Sequence, residues 1–120
     1  MNERPDIIKD KSFKFAIRVV NLNLFLRENK QEYVLSKQLL RSGTAIGALV
    51  RESKNAESKL DFIHKLGIAQ KECDETLYWL ELLKECKFIT RKEFESIGND
   101  ANELLKIIRS SIMTVKKTLK

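Results

Sequence analysis

Gly43 and Gly47 stand one helical turn apart inside a segment whose other residues spell a helix. Leu35, Leu39, Ile46 and Val50 recur there at helical spacing and share one side. Each glycine costs a helix interior about 1 kcal/mol relative to alanine. A helix that carries two such costs gains from the missing side chains, and the gain is close approach of another helix backbone. The segment therefore reads as the central packing helix, with Gly43 and Gly47 as its close-packing positions. Pairing inside a membrane is excluded for the same motif, because Arg41 and Arg51 flank too short an apolar run.

The rest of the chain agrees with an all-α fold. One proline, Pro5, and four glycines leave few turn signals in 120 residues, a length that suits one domain. The expected architecture is an antiparallel up-down-up-down four-helix bundle, with helices at about 11–28, 33–53, 59–86 and 90–119. Residues 1–10 read as an N-terminal tail and 11–120 as the single domain. The first helix carries two apolar stripes, Phe13, Ala16, Ile17, Val20 and Leu24 on one and Phe15, Val19, Leu22 and Leu26 on the other. A lone surface helix needs one stripe, so this helix is expected to pack on both sides. The third helix has a core stripe of Ile63, Leu66, Ala69, Cys73, Leu77 and Leu80. A second set nearly opposite holds Ile68, Trp79, Leu82, Leu83 and Cys86. An exposed Trp-Leu-Leu patch would be costly on a monomer, so it is expected to be covered. Thr90 with Glu93 is a capping box opening the fourth helix, whose stripe runs from Phe94 through Ile97, Ala101, Leu104, Ile108, Ile112 and Val115 to Leu119. Ser58 with Asp61 is a similar signal for the third.

Charge is the remaining signal. The net charge is +6, and it is unevenly placed: +5 over residues 1–54, −3 over 55–86 and +4 over 87–120. Such a pattern fits either charge pairing within the protein or an exposed basic surface for a polyanion. Lys37, Arg41 and Arg51 share one side of the second helix, with Thr44 and Ala48 between them. Lys106, Arg109, Lys116, Lys117 and Lys120 gather towards the end of the fourth. These eight are the candidate nucleic-acid contacts. Phe15, Val19, Leu22, Leu26, Ile68, Glu72, Glu75, Trp79 and Leu82 are the candidate oligomer contacts. Glu72 and Glu75 are expected to meet Arg41 or Arg51 of another subunit. No stacking platform for bases is evident, so sequence-specific readout is not expected.

Catalytic chemistry is sought without result. His64 is the only histidine and has no cysteine or second histidine at ligand spacing. Cys73 and Cys86 match no zinc or redox motif. No serine sits in a nucleophile elbow, and no phosphate-binding glycine loop follows Gly47. The expectation is a non-enzymatic protein with no catalytic residue, metal or cofactor. With no apolar leader at Met1–Asp6 and no spanning run, it is expected in the cytoplasm, away from membranes.

Two stretches carry a family resemblance. "LSKQLLRSGTAIGALVRES" and "SKLDFIHKLGIAQKECDETLYWLELL" resemble the four-helix-bundle proteins encoded in intervening sequences of bacterial 23S rRNA genes. Accessory proteins of diversity-generating retroelements look similar in fold. The resemblance spans roughly Phe13 to Phe88. The family pattern often reads Leu-Arg-Arg-Ala-Ala, then Ile-Pro-Ala-Asn-Ile-Ala-Glu-Gly. Here Leu40–Gly43 and Ile46–Glu52 take its place, without the proline or final glycine and with Leu49 at the asparagine. The resemblance implies a left-handed bundle, a ring-shaped homo-oligomer of five subunits and a nucleic-acid-associated role without catalysis. The leading expectation is thus a homo-oligomer that binds RNA or DNA through backbone electrostatics. Its rivals are a protein–protein scaffold and, behind that, a metal-dependent hydrolase using Glu72, Asp74 or Glu75.

Overall fold

Residues 6–119 are described by a computed structural model, and among them four helices form one bundle. They are α1 (Ile7–Lys30), α2 (Leu35–Ser53), α3 (Lys59–Glu85) and α4 (Arg91–Lys116). Contacts between neighbouring helices pair rising with falling residue numbers. Along α1 and α2, Asp6 meets Lys54, Ser12 lies under Gly47, Val19 under Gly43, and Asn23 bonds to Ser36. Along α2 and α3, Glu52 meets Lys65 and Ser42 meets Thr76. Lys11 and Arg18 of α1 reach Glu103 and Asp100 of α4, which closes the circuit of helices.

The ends are set by caps. Asp6 accepts from the Lys9 N–H and starts α1 at Ile7, so Ile7–Asp10 belong to the helix and not to the expected tail. Ile8 explains the extension, because it is buried in the core at 7% exposure. The second helix starts two residues later than expected. Glu32, buried in the connection, accepts from the backbone N–H groups of Val34, Leu35 and Ser36 at 3.2, 3.0 and 2.7 Å. It does the work of an N-cap for α2, since Val34 has no side-chain cap. Burial alone would raise the Glu32 pKa. The Leu35, Ser36 and Val34 N–H groups outweigh it and hold the carboxylate below its ordinary range. The Thr90–Glu93 capping box is formed in both directions.

The core runs down the bundle axis through Phe15, Val19, Leu26, Leu39, Ile46, Val50, Leu66, Leu80, Leu83, Leu104 and Ile108, all at most 2% exposed. This corrects two expectations. Phe15, Val19 and Leu26 fill the core of the single chain, so they are unavailable for contact between subunits; Leu22 is half-buried against them. The other stripe of α1 faces out, with Phe13 at 51%, Ile17 at 46%, Val20 at 38% and Leu24 at 45% exposure. Leu83, placed with the outer set of the third helix, is also fully buried.

The glycines explain which stripe of α1 turns inward. A Cβ on Gly43 would sit 2.7 Å from both γ-methyls of Val19, and one on Gly47 would sit 3.3 Å from the Ser12 carbonyl oxygen. The two helices approach closely where α2 has no side chains, and Val19 fills the space. Small polar residues complete the seam. The Asn23 side-chain amide donates to the Ser36 carbonyl at 3.0 Å, and Ser42 and Thr76 hydroxyls pair at 3.0 Å. No buried side-chain polar atom among the described residues lacks a partner.

Candidate nucleic-acid interface

The two rows of cations read from the sequence lie in different surroundings. On α2, the Arg41 guanidinium bonds Glu72 of α3 at 3.2 Å and also Glu75. The hydrogen bond from the Trp79 indole, at 3.0 Å, and then Arg41 hold Glu75 below the ordinary carboxylate range. Glu72, then Glu75, hold Arg41 above its own. This ion pair was expected between subunits, but it forms within one chain. Arg51 lies 5.1 Å over the Phe13 ring, a cation–π contact that joins the outer side of α2 to the exposed stripe of α1. Lys37 is exposed near the start of α2, with no ion pair among the described residues.

The cations of α4 are in the opposite situation. Lys106, Arg109, Lys116 and Lys117 are all exposed, and none has a carboxylate within 4.0 Å among the described residues. At 100° per residue, Lys106 and Lys117 occupy the side of α4 opposite its buried residues Ala101, Leu104, Ile108 and Ile112, and Arg109 lies on the flank between that side and buried Leu105. The three span about 16 Å along the helix. Lys120 lies outside the described residues.

The proposed contacts of α3 are half-buried: Ile68, Glu72, Glu75, Trp79 and Leu82 form a flank beside α2. Tyr78 stacks edge-on against Trp79 with centroids 5.0 Å apart. Cys73 is buried and donates its Sγ–H to the Ala101 carbonyl at 3.2 Å. Burial, then Asp74, pushes its thiol pKa up to about 12, so it is a packing residue, not a nucleophile. No group of three His, Cys, Asp or Glu side chains able to hold a metal is found among the described residues. No helix among them is long and apolar enough to cross a membrane.

The sequence profile of the 23S rRNA-intervening sequence protein family matches residues 6–110, the whole bundle but the last turns of α4. The chain belongs to that family. A crystal structure from Bacteroides thetaiotaomicron VPI-5482, described as a protein of unknown function from the S23 ribosomal protein family, agrees with the bundle. It is 55% identical, superposes with a TM-score of 0.87, and the match covers 88% of this chain and 97% of that one. No curated protein matches the chain. Within the family's matched stretch lie both glycines, the Arg41 clamp, the exposed α1 stripe, Lys106 and Arg109. Lys116 and Lys117 lie beyond it.

The stripe Phe13, Ile17, Val20 and Leu24 was read from the sequence but not as the outward one, and the Glu32 cap was not singled out. The first had a signal, since two stripes on one helix cannot both face one core. Glu32 had none, because a cap four residues before a serine resembles ordinary loop acidity.

Proposed function

We propose that this protein is a non-enzymatic homo-oligomeric bundle that binds RNA or DNA through the phosphate backbone, using the outer side of α4. The single observation that carries the reading is the row Lys106, Arg109 and Lys117, exposed and without ion pairs among the described residues. Unpaired cations on a rigid helix release counterions when they meet phosphates, and the free energy comes from that release. The assembly is a ring of identical subunits, five in the expectation set by the family resemblance. Phe13, Ile17, Val20 and Leu24, each more than a third exposed, supply the apolar contact. A ring repeats the α4 row around an axis and multiplies phosphate contacts without any base-specific side chain.

The scaffold reading gains one observation: Arg41 is already neutralised by Glu72 and Glu75, so α2 offers less to phosphate than its sequence implies. Filter binding of a structured RNA across a salt series separates the two. The nucleic-acid reading expects affinity that falls linearly on logarithmic axes with rising salt. It also expects Lys106→Glu with Arg109→Glu to weaken binding at least tenfold and lower the salt slope by about two. No binding by the wild-type assembly at low salt overturns it and leaves the scaffold.

A further inference from the structure

Where α1 and α3 end and α4 begins, the bundle has an open cavity of about 780 Å³. It brings Phe25 and Lys30 from the last turns of α1 beside Lys84 at the end of α3, Lys87 and Phe88 from the α3–α4 connection and Arg91 at the start of α4. We propose that this cavity is a second, local nucleic-acid site, which takes a nucleotide of a single strand: a base against an aromatic ring, its phosphate between Lys87 and Arg91. The inference rests on the nucleic-acid reading above and adds a strand type and a place.

Charge supports it. Four cations line the cavity against two carboxylates, Glu85 and Glu93. Both carboxylates are engaged, Glu85 with Lys84 at 3.5 Å and Glu93 with the Thr90 N–H at 2.8 Å in the α4 capping box. Lys87 and Arg91 have no ion pair among the described residues, and the four cations leave the lining with an excess of positive charge over Glu85 and Glu93.

The rings support it as well. Phe25 is 38% exposed on the side of α1 away from the core, with the Lys30 ammonium 5.9 Å from its centroid. Phe88 also lines the cavity, half-buried against the core. Cations interleaved with aromatic faces are the ordinary means of holding single-stranded nucleic acid, since every base has a π-face. A volume in the range of small-molecule sites admits a nucleotide.

The backbone at Lys87 supplies a probe of the site. Lys87 sits at φ 65°, in the left-handed region, with the Phe88 N–H bonded to the Leu83 carbonyl at 2.9 Å and its own N–H to Lys84 at 3.0 Å. That is the helix-ending motif in which glycine is the favoured residue at this position. A lysine there is less stable than glycine and projects a cation at the cavity mouth. Gln31 ends α1 in the same left-handed region, at φ 50°.

Fluorescence anisotropy with a short, phosphorylated, end-labelled oligouridine, and with the matching oligothymidine, tests the site on the full chain. Structured RNA is measured in parallel. Lys87→Gly is the most telling variant. It is expected to raise the melting temperature while weakening the oligonucleotide about tenfold, so a folding defect cannot mimic the result. Phe25→Ala is expected to cost a similar factor, of the order seen for loss of one stacked base. Lys106→Glu with Arg109→Glu should spare the short strand and weaken the structured RNA. Equal oligonucleotide affinity for wild type, Lys87→Gly and Arg91→Ser overturns the inference, whatever the structured RNA does. If structured RNA fails to bind while the short strand binds and responds to Lys87→Gly, the cavity stands and the α4 reading falls.

Discussion

Both α2 and α4 carry cations on the side away from the core, and the two rows end in different chemistry. On α2, Arg41 is clamped by Glu72 and Glu75 and Arg51 lies over Phe13. Next to them is the exposed apolar stripe Phe13, Ile17, Val20 and Leu24. On α4, Lys106, Arg109 and Lys117 face solvent without carboxylates, and among the apolar residues nearby only Met113 is more than half exposed. Equal formal charge therefore means unequal availability. The proposed function accordingly assigns the α1–α2 side to protein contact and the α4 side to phosphate. The difference comes from the acidic α3, which packs beside α2 and supplies the counter-charges.

The largest effect that can break this comparison lies on the apolar side. Ile17→Asp with Val20→Asp should dissociate the assembly at micromolar concentration and leave the chain folded, because both residues are outside the core. Each half-exposed side chain is worth about 1 kcal/mol on complete burial, so a contact made by four of them is lost when two become charged. Sedimentation velocity and circular dichroism on the same sample check it. An unchanged sedimentation coefficient removes the stripe from the interface.

The next effect tests the inner side of the same pair of helices. Gly43→Ala should destabilise the fold by about 1–2 kcal/mol. Overpacking against the stiff, buried Val19 outweighs the roughly 1 kcal/mol that alanine returns to a helix. Adding Val19→Ala should recover part of the loss, measured as a double-mutant cycle in urea. Gly67, with nothing within 4 Å of an added Cβ, should instead gain stability as alanine.

A smaller and pH-dependent effect belongs to Glu32. Its pKa is lower in the folded chain than in the unfolded one, so its contribution is present above the unfolded value and disappears as pH falls through the folded one. Glu32→Gln should cost about 1 kcal/mol near neutral pH and almost nothing once the pH has fallen through the lowered folded-state pKa and the wild-type carboxyl is protonated. Melting curves of both proteins at stepped pH show whether the two converge.

The smallest effect sharpens the contrast between the rows. Arg41→Ala should lower stability by at most about 0.5–1 kcal/mol, since the clamp is half exposed and screened. It should leave RNA affinity within about twofold of wild type. A loss comparable to that of the α4 variant would show that α2 also meets phosphate.

Local signals in this chain were readable because they depend on neighbours a turn away. The Thr90–Glu93 box, the Ser58 cap, the α4 stripe and the close approach at Gly43 and Gly47 all follow from short spacings. The two stripes of α1 could not be ranked in the same way. Both are apolar and both have helical spacing, so nothing within α1 says which one faces the core. The Arg41 pair shows a similar limit. Its partners Glu72 and Glu75 were legible as a complementary charge, but whether they came from the same chain was not. The cavity at the bundle end joins residues more than fifty positions apart, and no spacing rule links Phe25 to Phe88.

Sequence alone determined four amphipathic helices, the caps of α3 and α4 and a glycine-marked contact, because hydrophobic period and capping act over one or two turns. Tertiary structure decided which stripe of α1 is core, which cations remain free and where aromatic and basic side chains converge. Those outcomes depend on what each face meets across the bundle. At Gly43 the missing side chain lets Val19 in, and that one contact turns Phe13, Ile17, Val20 and Leu24 outward.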